Sequence, residues 1–178
     1  YSEALCNDLK KIRPNVVFHL AAQSIPIKSI LCPSETIETN VLGTVNLFEG
    51  LRSNSLKARV LVAGSSAAYG ETLFTNRRIQ VSEDTPIRPL HAYGISKICQ
   101  EYLAYAYYKN YGIPALSVRI FNTTGPQKTD DVCSDFARRA VMAEMGKGSA
   151  TIPVGNLKSK RAIADVRDLV HVLYMLSR

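Results

Sequence analysis

Short apolar runs alternate along this chain with segments in which apolar residues recur every three or four positions. Continuous short runs are typical of strands buried in a parallel sheet, and here they cover residues 16–20, 59–63 and 115–121. The longer period is typical of amphipathic helices, and it covers residues 3–13, 33–52, 90–109, 136–146 and 165–178. The alternation predicts an α/β fold with a mostly parallel sheet.

The residues that follow the three predicted strands are small or polar. Ala21 and Ala22 follow the first strand, Ser65 follows the second, and Asn122 opens a predicted loop over residues 122–126 after the third. Open α/β sheets bind ligands at the carboxyl ends of their strands, so these positions are candidates for a site. Tight packing would explain the two alanines equally well, and a turn or helix N-cap would explain Ser65. Residues 151–154 are predicted to form one further short strand.

Asn40 lies among apolar neighbours on the predicted helix over residues 33–52. A buried amide needs hydrogen-bond partners. Two interpretations follow: Asn40 clamps a neighbouring strand, or it takes part in catalysis directly.

Tyr93 and Lys97 are four residues apart on the predicted helix over residues 90–109, so both side chains leave the same face. A positive charge beside a phenol favours the phenolate. Such a phenol exchanges a proton with a substrate hydroxyl or carbonyl near neutral pH. The alternative is structural: a half-buried tyrosine beside a lysine whose head reaches solvent.

Composition narrows the function classes. With 178 residues, 46% hydrophobic and 21% charged, the chain is long enough for a domain with a core, and it holds no apolar run of the roughly 18 residues that a membrane span needs. The four cysteines are scattered without a Cys-x-x-Cys pair, which argues against a metal site or disulfide framework and favours a reducing, cytoplasmic location. The net charge of +7 without a long basic block favours a phosphorylated small molecule over nucleic acid.

Three segments together, HLAAQS, GSSAAYG and YGISK, resemble the extended short-chain dehydrogenase/reductase family that modifies nucleotide sugars. The resemblance implies a Rossmann-like, doubly wound parallel sheet, NAD or NADP as cofactor, and a homodimer formed through the helices that carry Asn40 and Tyr93. It implies that Tyr93 is the acid/base, that Lys97 binds the nicotinamide ribose, and that Ser65 is the catalytic serine. The cofactor-binding residues it implies are Leu20, Ala21, Ala22, Ser65, Tyr93 and Lys97.

The segments VCSDFARRAV and IPVGNLKSKRAIADVRDLV resemble more closely the GDP-4-keto-6-deoxy-mannose reductases and, at a greater distance, the GDP-mannose 4,6-dehydratases. The resemblance implies that Asn122, Gly155, Asn156 and Arg161 bind the substrate's nucleotide diphosphate. Arginine suits this task because its guanidinium binds phosphate oxygens as a two-pronged fork. Ala162 departs from the family pattern, which prefers an aspartate after this arginine.

Two absences shape the expected function. Where the dehydratases carry a proton-transferring Glu after the catalytic residue, this chain has Ala67, which disfavours 4,6-dehydration. No Gly-x-x-Gly-x-x-Gly occurs in the chain, so the family's opening strand-turn-helix, which cradles the cofactor pyrophosphate, is expected to lie outside it. Residues 1–125 are then a partial NAD(P)-binding domain, and residues 126–178 begin a nucleotide-sugar lobe that is cut short.

The expected reaction is reduction of the C4 ketone of a GDP-4-keto-6-deoxyhexose at the expense of NAD(P)H. Within the family, an epimerase would use the same Ser65, Tyr93 and Lys97, and a 4,6-dehydratase is a further alternative. From another class, the chain is a catalytically silent fragment that binds a nucleotide or a partner.

Overall fold

The computed structural model describes residues 2–75, 80–129, 131–149 and 151–178. It divides into two compact units, one formed by residues 1–120 with 176–178 and the other by Phe121–Met175.

The first unit is built on a three-stranded parallel sheet in the order β1-β2-β3. Its strands are β1 (Val16–His19), β2 (Arg59–Ser65) and β3 (Ala115–Ile120). Val60 of β2 pairs with Val17 on one side and Ala115 on the other. Because the strands are parallel, their carboxyl ends lie at one edge of the sheet, where His19 and Ser65 are found.

Helices connect and cover these strands. They are α1 (Glu3–Ile12), α2 (Pro26–Leu31), α3 (Pro33–Ile37), a π-helical segment (Glu38–Leu42), α4 (Gly43–Ser53), a 3₁₀ turn (Ser66–Ala68), α5 (Thr72–Thr75) and α6 (Ala92–Tyr111). Helix α6 ends at Tyr111 because the next residue, Gly112, adopts a left-handed conformation with a φ of 62°.

The core of the first unit lies between the sheet and α1, α4 and α6. Phe48, Leu51 and Val60 are fully buried there, and Phe48 stacks on Tyr107 with ring centroids 4.8 Å apart. Burial of such side chains contributes about 1.5–3 kcal/mol each, so this cluster holds the sheet and helices in one arrangement.

The second unit contains a two-stranded parallel sheet and two helices. Its elements are β4 (Asn122–Thr124), α7 (Val132–Glu144), β5 (Ile163–Asp165) and α8 (Val166–Leu176). Asp131 and Ser134 form a capping box at the start of α7, which satisfies two helix N–H groups that would otherwise lack partners.

The α/β prediction with a parallel, Rossmann-like sheet is confirmed, three local predictions are corrected, and one helix was not predicted. Residues 122–124 form β4 rather than a loop, because they pair with β5. Residues 151–154 form no strand. The capping box starts α7 at Val132, before the predicted residue 136. Residues 26–31 form α2, a short helix with Pro26 in its first turn that the pattern did not predict.

Candidate active site

The first turns of α6 carry the tyrosine–lysine pair. The His91 imidazole starts this helix because its Nδ1 accepts a hydrogen bond from the Gly94 N–H at 3.2 Å. Tyr93 is half-buried, whereas Lys97 is only 4% exposed. The Lys97 Nζ atom lies 5.7 Å from the centroid of the Tyr93 ring, so the predicted pair exists as one local group.

The Lys97 ammonium points at the carboxyl end of β2. It donates a hydrogen bond to the Ala63 carbonyl oxygen at 2.8 Å. Burial lowers the pKa of Lys97 to about 8, since a low-dielectric environment disfavours the charged form. An ammonium has three N–H donors, so this bond leaves two for other acceptors.

Ser65 is the last residue of β2 and is 9% exposed. Its Oγ accepts a hydrogen bond from the Ala67 N–H at 3.1 Å, which starts the 3₁₀ turn. The hydroxyl proton is not used in that bond and is free to be donated elsewhere. The turn-capping interpretation of Ser65 is therefore confirmed, and it is compatible with a chemical role.

Two close approaches place the start of α6 against the residues that follow Ser65. A Cβ on Gly94 would lie 2.7 Å from the Ala67 oxygen, and a Cβ on Gly70 would lie 1.9 Å from the Arg88 oxygen. Gly70 also has a φ of 48°, where side chains are unfavourable. These glycines let the segment before α6 pack directly on the segment after β2.

Asn40 acts as a clamp between the β1 loop and α6. Its Oδ1 accepts from the main-chain N–H of Gln23 at 2.7 Å. Its Nδ2 donates to the main-chain carbonyl oxygen of Gln23 at 3.1 Å and to the Ser96 Oγ at 2.9 Å. Ser96 in turn donates to the main-chain carbonyl oxygen of Tyr93 at 2.8 Å. Asn40 is fully buried, so the structure supports a clamp, although the clamped elements are the loop after β1 and helix α6 rather than a strand.

A second buried network surrounds His19 at the end of β1. The Thr44 hydroxyl donates its proton to the main-chain carbonyl oxygen of Asn40 at 2.6 Å. Because a hydroxyl has a single proton, the His19 Nε2, which lies 2.8 Å from the Thr44 hydroxyl, is the donor in their bond. Gln100 Nε2 also donates to the Thr44 hydroxyl, at 2.7 Å. Burial, and to a lesser degree the charge of Lys97, lowers the pKa of His19 to about 4. His19 is therefore neutral near pH 7.

The three residues predicted to adjoin the cofactor follow β1 directly. Leu20 is 57% exposed, Ala21 is exposed and Ala22 is half-buried. They lie at the carboxyl end of a parallel strand, beside the strand that ends in Ser65. Open backbone with small side chains at this edge is suited to a ligand that approaches closely.

The predicted substrate residues all belong to the second unit. Gly155, Asn156 and Arg161 line an open cleft of about 1310 Å³, together with Arg138 and Arg139. Asp135 of α7 pairs with Arg139 at 2.8 Å and with Arg138 at 3.1 Å. Arg161 is exposed, so the cleft presents an arginine fork to solvent.

Asn122 lies elsewhere in the second unit and is not among the residues lining the cleft. Its Nδ2 donates to the Ala162 oxygen at 3.2 Å, which fastens β4 to the residue preceding β5. One N–H and the amide oxygen of Asn122 take part in no bond that we observe within the described residues.

Several polar residues of the site were not predicted from the sequence. Gln23, Ser96 and Gln100 are each 9% exposed or less and form the two networks. A usable signal existed on α6, where Ser96 and Gln100 interrupt the face that also carries Lys97. A polar residue on a buried helical face implies a partner, but the sequence does not name that partner.

Within the described ranges, no group of three or more His, Cys, Asp or Glu side chains is placed to hold a metal ion. In the same ranges, no helix has the length and apolar character required to cross a bilayer.

A Rossmann-like parallel sheet with a serine at a strand end and a Tyr-x-x-x-Lys helix beside it defines the extended short-chain dehydrogenase/reductase class. A family model described as GDP-mannose 4,6 dehydratase matches residues 2–178, and the chain belongs to that family.

Individual relatives agree with this assignment. The chain is 29% identical over 164 residues to GDP-6-deoxy-D-mannose reductase of Pseudomonas aeruginosa, covering 92% of this chain and 53% of the relative. It is 28% identical over 171 residues to GDP-mannose 4,6-dehydratase of Yersinia enterocolitica, covering 94% and 45%. The solved structure of RMD from Pseudomonas aeruginosa complexed with NADPH superimposes with a TM-score of 0.90 at 26% identity, covering 99% of this chain and 61% of that one. The chain thus spans about half the length of the curated relatives it matches.

Proposed function

We propose that this chain is part of an NAD(P)-dependent nucleotide-sugar oxidoreductase that reduces the C4 ketone of a GDP-4-keto-6-deoxyhexose. The observation that carries the proposal is the buried Lys97 ammonium beside Tyr93, at the strand end that bears Ser65. In this proposal residues 1–125 are a partial NAD(P)-binding domain, and residues 126–178 begin the lobe that binds the nucleotide sugar.

The residues at the carboxyl edge of the sheet fit the nicotinamide half of NADP or NAD. Lys97 has two N–H donors left for ribose hydroxyls once Ala63 is satisfied, and Leu20, Ala21 and Ala22 leave open backbone beside it. When bound, the reduced cofactor supplies the hydride. Among the solved structures similar to this chain, RMD from Pseudomonas aeruginosa holds NADPH and UDP-glucose 4-epimerase from Thermus thermophilus holds NAD, so both cofactors are proposed.

The side chains divide the remaining chemistry among them. Tyr93 donates its phenolic proton to the alkoxide that develops when the ketone is reduced. Ser65 still has its hydroxyl proton, which it donates to the same oxygen to orient it. The nearby Lys97 charge stabilises the phenolate that remains on Tyr93.

The cleft of the second unit is assigned to the nucleotide diphosphate. Gly155 and Asn156 form its turn, where the Asn156 Oδ1 accepts from the Lys158 N–H at 3.0 Å, and Arg161 supplies the phosphate fork. Asn122 is assigned to the same diphosphate through the amide atoms that its bond to Ala162 leaves available. Binding energy gained at this remote group positions the sugar for reaction.

A reductase is favoured over a 4,6-dehydratase by Ala67. Elimination of water needs a side chain that transfers a proton, and a methyl group does not. The name of the Pseudomonas aeruginosa relative, a reductase, supports the same choice. An epimerase that uses the same three residues is the second candidate within the family, and a silent fragment that binds a nucleotide or a partner is the candidate outside it.

The partner proposed beyond the substrate is a second copy of the chain. Apolar side chains are exposed on the adjacent helices that carry Asn40 and Tyr93: Leu42 is 54%, Ile95 45%, Tyr102 62% and Tyr105 59% exposed. On α6 these positions recur at helical spacing and form one stripe, so pairing two copies would bury it. A cytoplasmic location accords with the four cysteines, which form no disulfide in the described structure.

Fluorescence titration with NADPH and NADH tests the proposal first, followed by turnover of a GDP-4-keto-6-deoxyhexose. We expect Tyr93→Phe to abolish turnover while nucleotide-sugar binding survives, and the matched variant Tyr105→Phe, on the exposed side of α6, to keep both. Full turnover by Tyr93→Phe would refute the mechanism. Recycling of the cofactor instead of its stoichiometric consumption would favour the epimerase, and failure to bind either cofactor would favour the silent fragment.

A further inference from the structure

Tyr93, Lys97 and Glu101 follow one another at four-residue spacing on α6 and therefore lie on one stripe of the helix. Opposite charges at this spacing attract each other and commonly pair. A carboxylate paired with Lys97 would draw the ammonium along the helix and away from the Tyr93 phenol. The position of the Lys97 ammonium beside Tyr93 therefore depends on whether another group holds the Glu101 carboxylate.

Arg119 holds that carboxylate with both prongs of its guanidinium. Its Nη2 lies 2.6 Å from Glu101 Oε1 and its Nε lies 2.9 Å from Oε2. The two side chains are 14% and 25% exposed, so solvent screens this pair less than a surface pair. Both carboxylate oxygens are thus engaged on the β3 side of α6.

The guanidinium is itself fixed by further contacts. Its Nη1 donates to the Tyr69 hydroxyl at 3.0 Å and to the main-chain carbonyl oxygen of Glu83 at 2.9 Å, and the group lies 5.1 Å from the centroid of the Tyr69 ring. Tyr69 donates its own hydroxyl proton to the main-chain carbonyl oxygen of Ser82 at 3.0 Å. Arg119 is anchored on β3, directly opposite Gly64 and one position from Ser65.

The structure assigns to Arg119 the part of a positioning residue, which acts through Glu101: by neutralising that carboxylate it leaves the Lys97 ammonium to Tyr93 and to the cofactor ribose. This inference rests on the function proposed above for Tyr93 and Lys97. It extends the site by one ion pair that touches neither substrate nor cofactor.

The other groups around Lys97 are consistent with this assignment. His19, at the end of β1, is neutral because its pKa is lowered to about 4. On β2 the ammonium meets the uncharged Ala63 carbonyl, and on α6 it lies 5.7 Å from the centroid of the Tyr93 ring. Glu101 lies one helical turn further along, with both carboxylate oxygens on Arg119, and burial lowers the Lys97 pKa to about 8.

The test is to titrate Lys97 directly by NMR in cofactor-free protein labelled with ¹³C at the lysine ε-carbons, with Lys97→Met identifying the resonance. We expect Arg119→Gln to raise the pKa of Lys97 by about one unit, a tenfold gain in proton affinity, since the freed carboxylate then acts on the ammonium. In the double variant Arg119→Gln with Glu101→Gln the value should return to that of the parent.

Glu101→Gln alone provides a second test that does not depend on Arg119→Gln remaining folded. Because this variant removes the carboxylate and leaves the Arg119 charge without its partner, the Lys97 pKa should fall or stay unchanged. A rise of the Lys97 pKa in Glu101→Gln would overturn the assignment, as would an unchanged value in folded Arg119→Gln. Neither readout needs turnover, so failure of the proposed reaction and failure of this inference are separable.

Where turnover is available, kcat is the matching readout. We expect Arg119→Gln to lower kcat about tenfold, with little change in the KM for the nucleotide sugar, and Glu101→Gln added to it to recover most of the loss. A double variant no better than Arg119→Gln would contradict positioning through Glu101.

Discussion

At Lys97 the role proposed above and the stability of the fold oppose each other. Its ammonium is 4% exposed, with the Ala63 oxygen as its observed acceptor. Burying a charge costs free energy unless strong partners compensate. We therefore expect Lys97→Met to raise the free energy of unfolding at pH 7 by about 1–2 kcal/mol while abolishing turnover.

Denaturant unfolding at pH 7 and pH 9.5 measures this effect, with the exposed Lys109→Met on the same helix as control. The folded state releases the Lys97 proton near pH 8, whereas the unfolded chain holds it to about 10.5. Parent stability should therefore rise relative to Lys97→Met between these pH values. A marked loss of stability in Lys97→Met at pH 7 would show that the ammonium is stabilising.

His19 gives a prediction for acidic pH. Its pKa in the fold is about 4 and its ordinary value is 6.5, so between these values the unfolded chain binds a proton that the folded chain does not. Stability contributed by neutral His19 is present above pH 6.5 and is lost as the pH falls towards 4. We expect this loss to be about 2 kcal/mol, allowing for partial exposure.

The comparison variant is His19→Gln, whose amide nitrogen replaces Nε2 as the donor to Thr44 but does not titrate in this range. Unfolding curves at pH 7 and pH 4.5 should show a smaller loss of stability in His19→Gln than in the parent. Equal losses in both proteins would show that His19 carries no part of the acid sensitivity.

At the scale of elements, the junction between the 3₁₀ turn and α6 depends on Gly70. A Cβ there would collide with the Arg88 oxygen, and its φ of 48° is unfavourable for other residues. We expect Gly70→Ala to destabilise the protein by about 3 kcal/mol or more. Gly43→Ala is the control, because a Cβ at Gly43 meets no atom within 4 Å and the position is helical.

Thermal unfolding separates the two variants. Gly43→Ala should keep or raise the melting temperature, because alanine favours a helix by about 0.5–1 kcal/mol over glycine. If Gly70→Ala were as stable as Gly43→Ala, the segments around Gly70 and Arg88 would be able to move apart without a loss of stability.

Elements with a strong internal pattern were predictable, and elements that depend on a distant partner were not. The run over residues 59–63 is apolar because both of its faces are buried, and it became β2. By contrast, β4 and β5 have three residues each and are strands because Asn122 pairs with Ile163, some forty positions away. No local period records such a pairing.

At the scale of the whole molecule, the exposed stripe on α6 predicts self-association. Replacing Tyr102, which is 62% exposed, by Glu places a charge in the proposed interface. We expect sedimentation to show a dimer for the parent and a monomer for Tyr102→Glu. The control is Ile12→Glu, which changes a 71% exposed apolar residue at the end of α1 and should remain dimeric. A monomeric parent would refute the proposed partner.

The residues proposed for the site were predictable from their types and spacing, whereas the residues that hold them in place were not. Ser65, Tyr93 and Lys97 stand out because their residue types and spacing suit proton transfer, and the structure brings the last two together. The residues that hold them, such as Asn40, Gln23 and Arg119, are joined by side-chain bonds between elements far apart in the chain. The sequence shows that a buried amide or guanidinium needs hydrogen-bond partners, but which residues become those partners depends on the fold.

The clamp on Gln23 has a consequence for ligand affinity. The segment after β1 has no regular structure, yet its Gln23 backbone is bonded on both its N–H and its oxygen by a fully buried amide. Ordering a free loop on binding would cost about 1–2 kcal/mol of conformational entropy for each residue. Because Gln23 is already ordered, a ligand that approaches Ala21 and Ala22 meets a preorganised wall and retains more of its interaction energy as affinity.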